Sequence, residues 1–210
     1  MKLQKLGGYA SIILICFIVL IRGMAASLGI PFSIADMDPV EVMTNFEAYP
    51  VFMRIVPLLG IFGAIYIVLI TLVLKERTQS NAPNLMRFAI IAATIGSMLE
   101  LTGTMVSSSG MAAIAGAKDV SSYVLLNGIG EGINYARGIA WGLALLLTGI
   151  AAVKTRVLPK ILSYIILICG IGHILIFAVQ PAQVVVVLLP IIFVWLGIFL
   201  IRNPEPSLKN

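Results

Sequence analysis

Six apolar segments, each about as long as a bilayer is thick, dominate this chain of 210 residues. A helix needs about 20 mostly apolar residues to cross the hydrocarbon core. The segments are residues 8–28, 51–74, 85–107, 132–153, 158–179 and 184–201. Backbone groups in lipid are satisfied only within helices or closed barrels, and the alternating pattern of barrel strands is absent here. The sequence therefore predicts an all-α bundle of six transmembrane helices.

Composition agrees with this class. Hydrophobic residues make up 60% of the chain and charged residues only 11%, whereas a soluble domain has about 25% charged residues. The length fits one domain, so we expect residues 1–210 to form a single integral membrane unit.

The charged residues divide unequally between the two sides of the predicted bundle. If the N-terminus is cytoplasmic, that side carries ten basic and two acidic residues, a net charge of +8. The opposite side carries four basic and seven acidic residues, a net charge of −3. Because positive residues flank the cytoplasmic ends of membrane helices, we expect both termini in the cytoplasm. The overall charge of +5 thus reports topology, and we expect no nucleic-acid partner.

The N-terminal segment has a second interpretation. Lys2 and Lys5, the apolar stretch 11–21 and the small residues near Ala25 are similar to a secretory signal peptide. Arg22 interrupts the approach to a cleavage site, and the apolar run continues through Leu28, so we favour a first span. Cleavage near Leu28 would leave five spans.

The longest loop, residues 30–50, is predicted to contain a short external helix. Asp38 suits the N-cap, Pro39 the first helical position, and Glu41 the third, which together resemble a capping box. Val40, Met43 and Phe46 would then share one apolar face suited to the membrane surface. This amphipathic helix is either a lid over the bundle or a plain connector. Residues 180–183 are predicted to form a tight turn between the last two spans.

Ionisable residues inside the spans mark a candidate site, because charge in hydrocarbon is costly. Counted from the cytoplasmic ends at about 1.5 Å per residue, Arg22, Glu100 and His173 lie about 20 Å deep and Arg137 about 25 Å deep. Arg54 lies just inside the outer boundary. We therefore expect Arg22, Glu100, Arg137 and His173 to converge in one polar cluster.

Two polar stripes extend this prediction. Ser97, Glu100, Thr104 and Ser107 recur with helical spacing in the third span. Asn127, Glu131 and Asn134 do so just before and within the fourth, with Arg137 and Trp141 near the same face. Polar stripes in lipid turn inwards, so we expect both to line a shared, partly hydrated cavity open to the outside. Glycines that permit close helix approach are Gly128, Gly130, Gly132, Gly138, Gly142, Gly170 and Gly172.

Several classes of site are excluded. One histidine cannot form a pair of haem ligands or a histidine-rich metal site, so we expect neither cofactor nor metal. Gly128–Gly132 is not a dinucleotide loop, because no strand precedes it. Cys16 and Cys169, both expected to be buried, are typical of packing thiols and not of a disulfide.

Part of the chain resembles a known family. Asp38-Pro39 followed by residues 51–54 is similar to the D-P…L-F-R pattern of a bacterial six-span family known only as a domain of unknown function. The stretch 142–174, with its Thr148-Gly149, Pro159-Lys160 and Gly170–Gly172 features, resembles a later region of that family. Lys160 departs from the family's usual Arg-Trp pair at this place. The resemblance implies a multi-pass protein of the bacterial inner membrane, and it implies no activity.

Three functions remain open. The candidate site could bind or transport an anionic small molecule or lipid headgroup, because guanidinium groups pair well with carboxylates and phosphates. It could instead be a structural ion network in a bundle that meets partners or forms a homo-oligomer. A third possibility is an intramembrane enzyme with Glu100 or His173 as acid or base, although we identify no catalytic residue. The candidate ligand-binding residues are Arg22, Arg54, Glu100, Glu131, Asn134, Arg137 and His173.

Overall fold

A computed structural model describes residues 3–30, 38–78, 82–117, 119–179 and 182–203. Within these ranges the side chains of residues 39, 107–108, 111–112, 115–117, 176–179 and 182–188 are not described. The described chain contains helices and no strand. The helices are α1 (Leu3–Ser27), α2 (Pro39–Ala48), α3 (Pro50–Thr78), α4 (Pro83–Ala117), α5 (Val120–Thr155), α6 (Lys160–Val179) and α7 (Ala182–Arg202).

Each predicted span falls on one helix, so the all-α prediction is confirmed. Four helices are long and apolar enough to cross a membrane: α1, α3, α5 and the Pro83–Val106 part of α4. The parts of α6 and α7 with described side chains, Lys160–Leu175 and Leu189–Arg202, are apolar but shorter. Half of the turn predicted at residues 180–183 falls outside the described residues, since Gln180 and Pro181 are not among them. Residues 182–183 already belong to α7.

Local sequence signals set several helix ends. The Asp38 carboxylate accepts a hydrogen bond of 2.8 Å from the Val40 N–H, which caps α2 as predicted. Asp119 caps α5 through the N–H groups of Ser121 and Ser122. The C-terminus of α5 closes at Arg156, which adopts the left-handed conformation with a φ of 57°.

The helices pack in a closed order. Contacts run from α1 to α3, then α4, α5, α6 and α7, and α7 returns to α1. A second contact joins α3 to α5 across the bundle. A large apolar core lies between the helices, and its most buried side chains include Val73, Met86, Leu162 and Leu200.

A second, smaller core lies where α2 packs against α3, α4 and α5, and it also includes residues of α1. Val42 and Met43 of α2 are buried there beside Ile21, Phe52 and Met53. The buried face of α2 therefore centres on Val42 and Met43. Val40, predicted on the same face as Met43, is 59% exposed.

Glycines bring neighbouring helices close at several crossings. A Cβ on Gly149 of α5 would lie 2.7 Å from the Leu167 backbone of α6, and one on Gly170 would lie 2.9 Å from the Gly142 carbonyl oxygen. Gly142 and Gly170 thus do what the sequence predicted of them. The same prediction is wrong for Gly128 and Gly132, because no neighbouring atom of the described residues lies within 4 Å of a Cβ there.

Candidate functional site

An ion pair between α4 and α5 forms the centre of the candidate site. The Arg137 Nη1 donates to Glu100 Oε2, and the Thr104 hydroxyl lies 3.4 Å from Glu100 Oε1. The side chain of Glu100 is only 9% exposed and that of Arg137 is 28% exposed. A carboxylate so deeply buried requires a counter-charge, which Arg137 supplies.

Glycines create the space for this pair. Gly60 of α3 faces Glu100, and a Cβ at Gly60 would overlap both the Glu100 carboxylate and the Thr104 hydroxyl. Gly96, one turn before Glu100 on α4, faces Trp141 in the same way. These two glycines let α3, α4 and α5 approach closely around a buried charge.

Trp141 lies beside the cation of the pair. The Arg137 guanidinium carbon is 5.2 Å from the centroid of the Trp141 ring. This arrangement, four residues apart on α5, allows a cation–π interaction. The indole Nε1 of Trp141 is buried and has no hydrogen-bond partner among the described residues.

Arg22 and Arg137 line one cavity of about 510 Å³. The remaining wall is apolar and comes from α1, the loop after it, and α3. Its members include Ile21, Phe52 and Met53, which also pack against α2. The cavity therefore has two arginine residues, contributed by two helices, in an otherwise apolar wall.

His173 of α6 packs against α5 near the pair. A Cβ on Gly142, five residues after Arg137, would lie 3.0 Å from the His173 Cβ. The Nδ1 atom is buried without a hydrogen-bond partner in the described part of the chain. His173 does not line the cavity.

The polar stripe on α4 packs against α3 and does not line the cavity. The Ser97 hydroxyl donates a 2.8 Å hydrogen bond to the Ala64 carbonyl of α3, and Glu100 and Thr104 face Gly60. The side chain of Ser107 lies outside the described residues. This stripe thus satisfies its polar groups within a helix interface, which differs from the shared hydrated cavity that we expected.

Three predicted site residues lie apart from this cluster. Arg54, Glu131 and Asn134 are all exposed, and none lines the cavity. Glu131 accepts a 3.3 Å hydrogen bond from Asn127 on its own helix. Cys16 is exposed, contrary to expectation, while Cys169 is buried, and both thiols are free.

Sequence reasoning missed the residues that shape the site. Gly60 and Gly96 were not singled out, and Phe52 and Met53 of the cavity wall entered only through the family resemblance, not as site residues. The spacing of Gly96 could have indicated its role. Gly96 lies four residues before Glu100, and Arg137 lies four residues before Trp141, so each pair shares one face of its helix. A glycine on the first face leaves room for the Trp141 ring on the second.

These features define a class: a helical protein with several apolar helices that can cross a membrane, enclosing a buried ion pair beside an arginine-lined cavity. Among the described residues no group of three or more His, Cys, Asp or Glu side chains could hold a metal ion. The sequence matches no protein-family model, and comparison with curated proteins and solved structures gives no match either. The resemblance to the bacterial six-span family stays a prediction.

Proposed function

We propose that this chain is a multi-pass membrane protein that binds an anionic group between Arg22 and Arg137. The observation that carries the proposal is the 510 Å³ cavity with Arg22 and Arg137 in an otherwise apolar wall. Ligand pockets commonly have volumes of about 300–1,000 Å³, apolar walls and a few polar groups that set specificity. Two arginines in such a wall suit a phosphate or a carboxylate.

The donors of Arg137 support this proposal. One terminal nitrogen, Nη1, donates to Glu100. A guanidinium has five N–H donors, so the bond to Glu100 leaves donors for a second acceptor. An anion in the cavity that Arg137 lines would accept from those donors that reach it.

We further propose that the chain spans the membrane six times with both termini in the cytoplasm. In this arrangement α2 is a lid on the non-cytoplasmic face of the membrane. The charge asymmetry of the loops supports this topology. Val42 and Met43 of α2 pack with Ile21, Phe52 and Met53 of the cavity wall, which supports a lid function. The membrane that we propose is the inner, or plasma, membrane.

A second candidate function is structural. Glu100 is enclosed by Gly60, Thr104 and Arg137 inside a helix interface. This enclosure suits a pair that fixes how α3, α4 and α5 pack, independent of any ligand.

Native mass spectrometry of the purified protein tests anion binding. We expect co-purified or added anionic ligands to bind to the natural protein. Arg22→Gln should lower their affinity at least about tenfold, since one of two charge-assisted contacts is lost. Arg137→Lys keeps the charge next to Glu100 and should weaken binding as well, because lysine cannot bind in the same bidentate way.

Arg87→Gln is the matched control. Arg87 is exposed on α4, thirteen residues and thus about 20 Å from Glu100. Its loss should leave binding unchanged. Equal binding by Arg22→Gln and Arg87→Gln would favour the structural function.

Reporter fusions test the topology. Fusions after Lys75, Lys118, Lys154 and Pro181 should report cytoplasm, exterior, cytoplasm and exterior in turn. A cytoplasmic signal after Lys118 would contradict six spans with this orientation.

A further inference from the structure

An apolar groove of about 300 Å³ runs along the outside of α1 and α3. It is lined by Ala10, Ile13, Leu14, Phe17, Phe62, Ile65, Tyr66 and Leu69. The only polar atom these side chains carry, the Tyr66 hydroxyl, already shares a 2.8 Å hydrogen bond with Ser11. The groove therefore offers nothing to a polar ligand and suits hydrocarbon.

This groove and the arginine-lined cavity lie along the same pair of helices. On α1 the groove ends at Phe17 and the cavity begins at Ile21, one turn later. On α3 the cavity ends at Leu59 and the groove begins at Phe62. Phe17 also contacts Phe62 across the two helices, with ring centroids 5.2 Å apart.

The length of this path matches one leaflet of a bilayer. From Arg22 to Ala10 is twelve residues, or about 18 Å of helix. Half of a hydrocarbon core is about 15 Å. Arg22 is five residues, or about 8 Å, from the end of α1 at Ser27. A headgroup bound there would lie below the membrane surface, and its acyl chain would reach along the groove into the opposite half of the bilayer.

We propose that the anion in the cavity is the headgroup of an anionic phospholipid whose acyl chain lies in the α1–α3 groove. This inference rests on the proposed anion site, and it assigns the source of the anion. Charge complementarity selects the headgroup, because Arg22 and Arg137 stand at one end of a groove that is apolar everywhere else. A free metabolite would use the cavity and leave the groove to bulk lipid.

The test measures two ligands on the full-length protein by native mass spectrometry. The first probe is phosphatidylglycerol with 16-carbon chains, and the second is glycerol phosphate, which has the anionic group without the chains. Because every two methylene groups buried are worth about tenfold in affinity, the lipid should bind more than a hundredfold tighter than glycerol phosphate.

Ile13 and Val19 provide a matched pair of variants. Both are β-branched residues on α1 and are 67% and 65% exposed, but only Ile13 lines the groove. Ile13→Trp should weaken lipid binding about tenfold or more, while Val19→Trp should not. Neither should change binding of glycerol phosphate. Ala10→Phe, which fills the groove at its far end, should repeat the effect of Ile13→Trp.

The outcomes separate the two proposals. If Arg22→Gln weakens both probes but the groove variants match Val19→Trp, the lipid inference is overturned and the anion site stands. If Arg22→Gln weakens neither probe, the anion site itself is overturned. Equal binding of phosphatidylglycerol and zwitterionic phosphatidylcholine, insensitive to every variant, would indicate annular lipid only and refute the inference. Dimers lost specifically in Ile13→Trp would show that a second copy covers the groove, which also refutes it.

Discussion

Replacing Glu100 with Gln should destabilise the protein by about 3 kcal/mol. Gln has the same shape but no charge, so the guanidinium of Arg137 loses its counter-ion in a site where Glu100 is 9% exposed. Breaking a buried pair by removing one partner costs about 3–5 kcal/mol. Arg137 is 28% exposed, so water relieves part of the penalty and the lower end applies. Such a loss corresponds to about a hundredfold in the unfolding equilibrium.

Reversible unfolding in mixed detergent micelles measures this free energy. Glu131→Gln is the control, since Glu131 is exposed and should change stability by less than about 0.5 kcal/mol. In the double variant Glu100→Gln/Arg137→Gln no charge is left unpaired, so its cost should be well below the sum of the single variants. Additive costs, or a Glu100→Gln effect no larger than that of the control, would refute the ion pair as a stabilising contact.

Two further predictions concern packing and capping. Gly170→Ala should destabilise the bundle by about 1–3 kcal/mol because its Cβ would strike the Leu146 backbone, whereas Gly132→Ala should be neutral or slightly stabilising; the same unfolding assay compares them. Hydrogen bonds from Ser122 lower the pKa of the Asp119 carboxyl below its usual 3.8, and the bond from the Ser122 hydroxyl has the largest effect. The cap should thus be fully effective above that value and be lost as pH falls through the lowered pKa. Faster amide exchange in the first turn of α5 would report the loss, and Asp119→Asn should remove its pH dependence.

The helices were predictable because hydrophobic runs and caps are local signals. The run 51–74 became the core of α3, and Asp38 caps α2 in the predicted way. The extra length of α4 and α5 was harder to foresee. The helical spacing of Asn127 and Glu131 indicated a helix just before the fourth span, but the predicted span began only at residue 132, whereas α5 begins at Val120. The exposed side chains of Asn127 and Glu131 permit the helix to continue past the apolar run.

The sequence predicted how deep the site residues lie, but not which of them contact one another. Counting residues placed Glu100 and Arg137 at similar depths, and they do form a pair. Depth does not specify rotation about a helix axis, so Glu100 could not be assigned to Arg137 over Arg22. Nor does it show that Ser97 would bond to an α3 carbonyl. Rotation about α3 likewise leaves Arg54 exposed, while its neighbours Phe52 and Met53 line the cavity.

The seam between α1 and α7 has a consequence for biosynthesis. Gly7 and Ser11 let α1 pack against Val73 and Tyr66 of α3, a partner made soon afterwards. Gly8 instead faces the backbone of Gly197 in α7, 189 residues further along the chain. At about 5–20 residues per second, translation needs roughly 10–40 s to cover that interval. During that time one face of the first helix must wait in the membrane, open to the insertion machinery or to lipid, and the ring of helices closes only when α7 arrives.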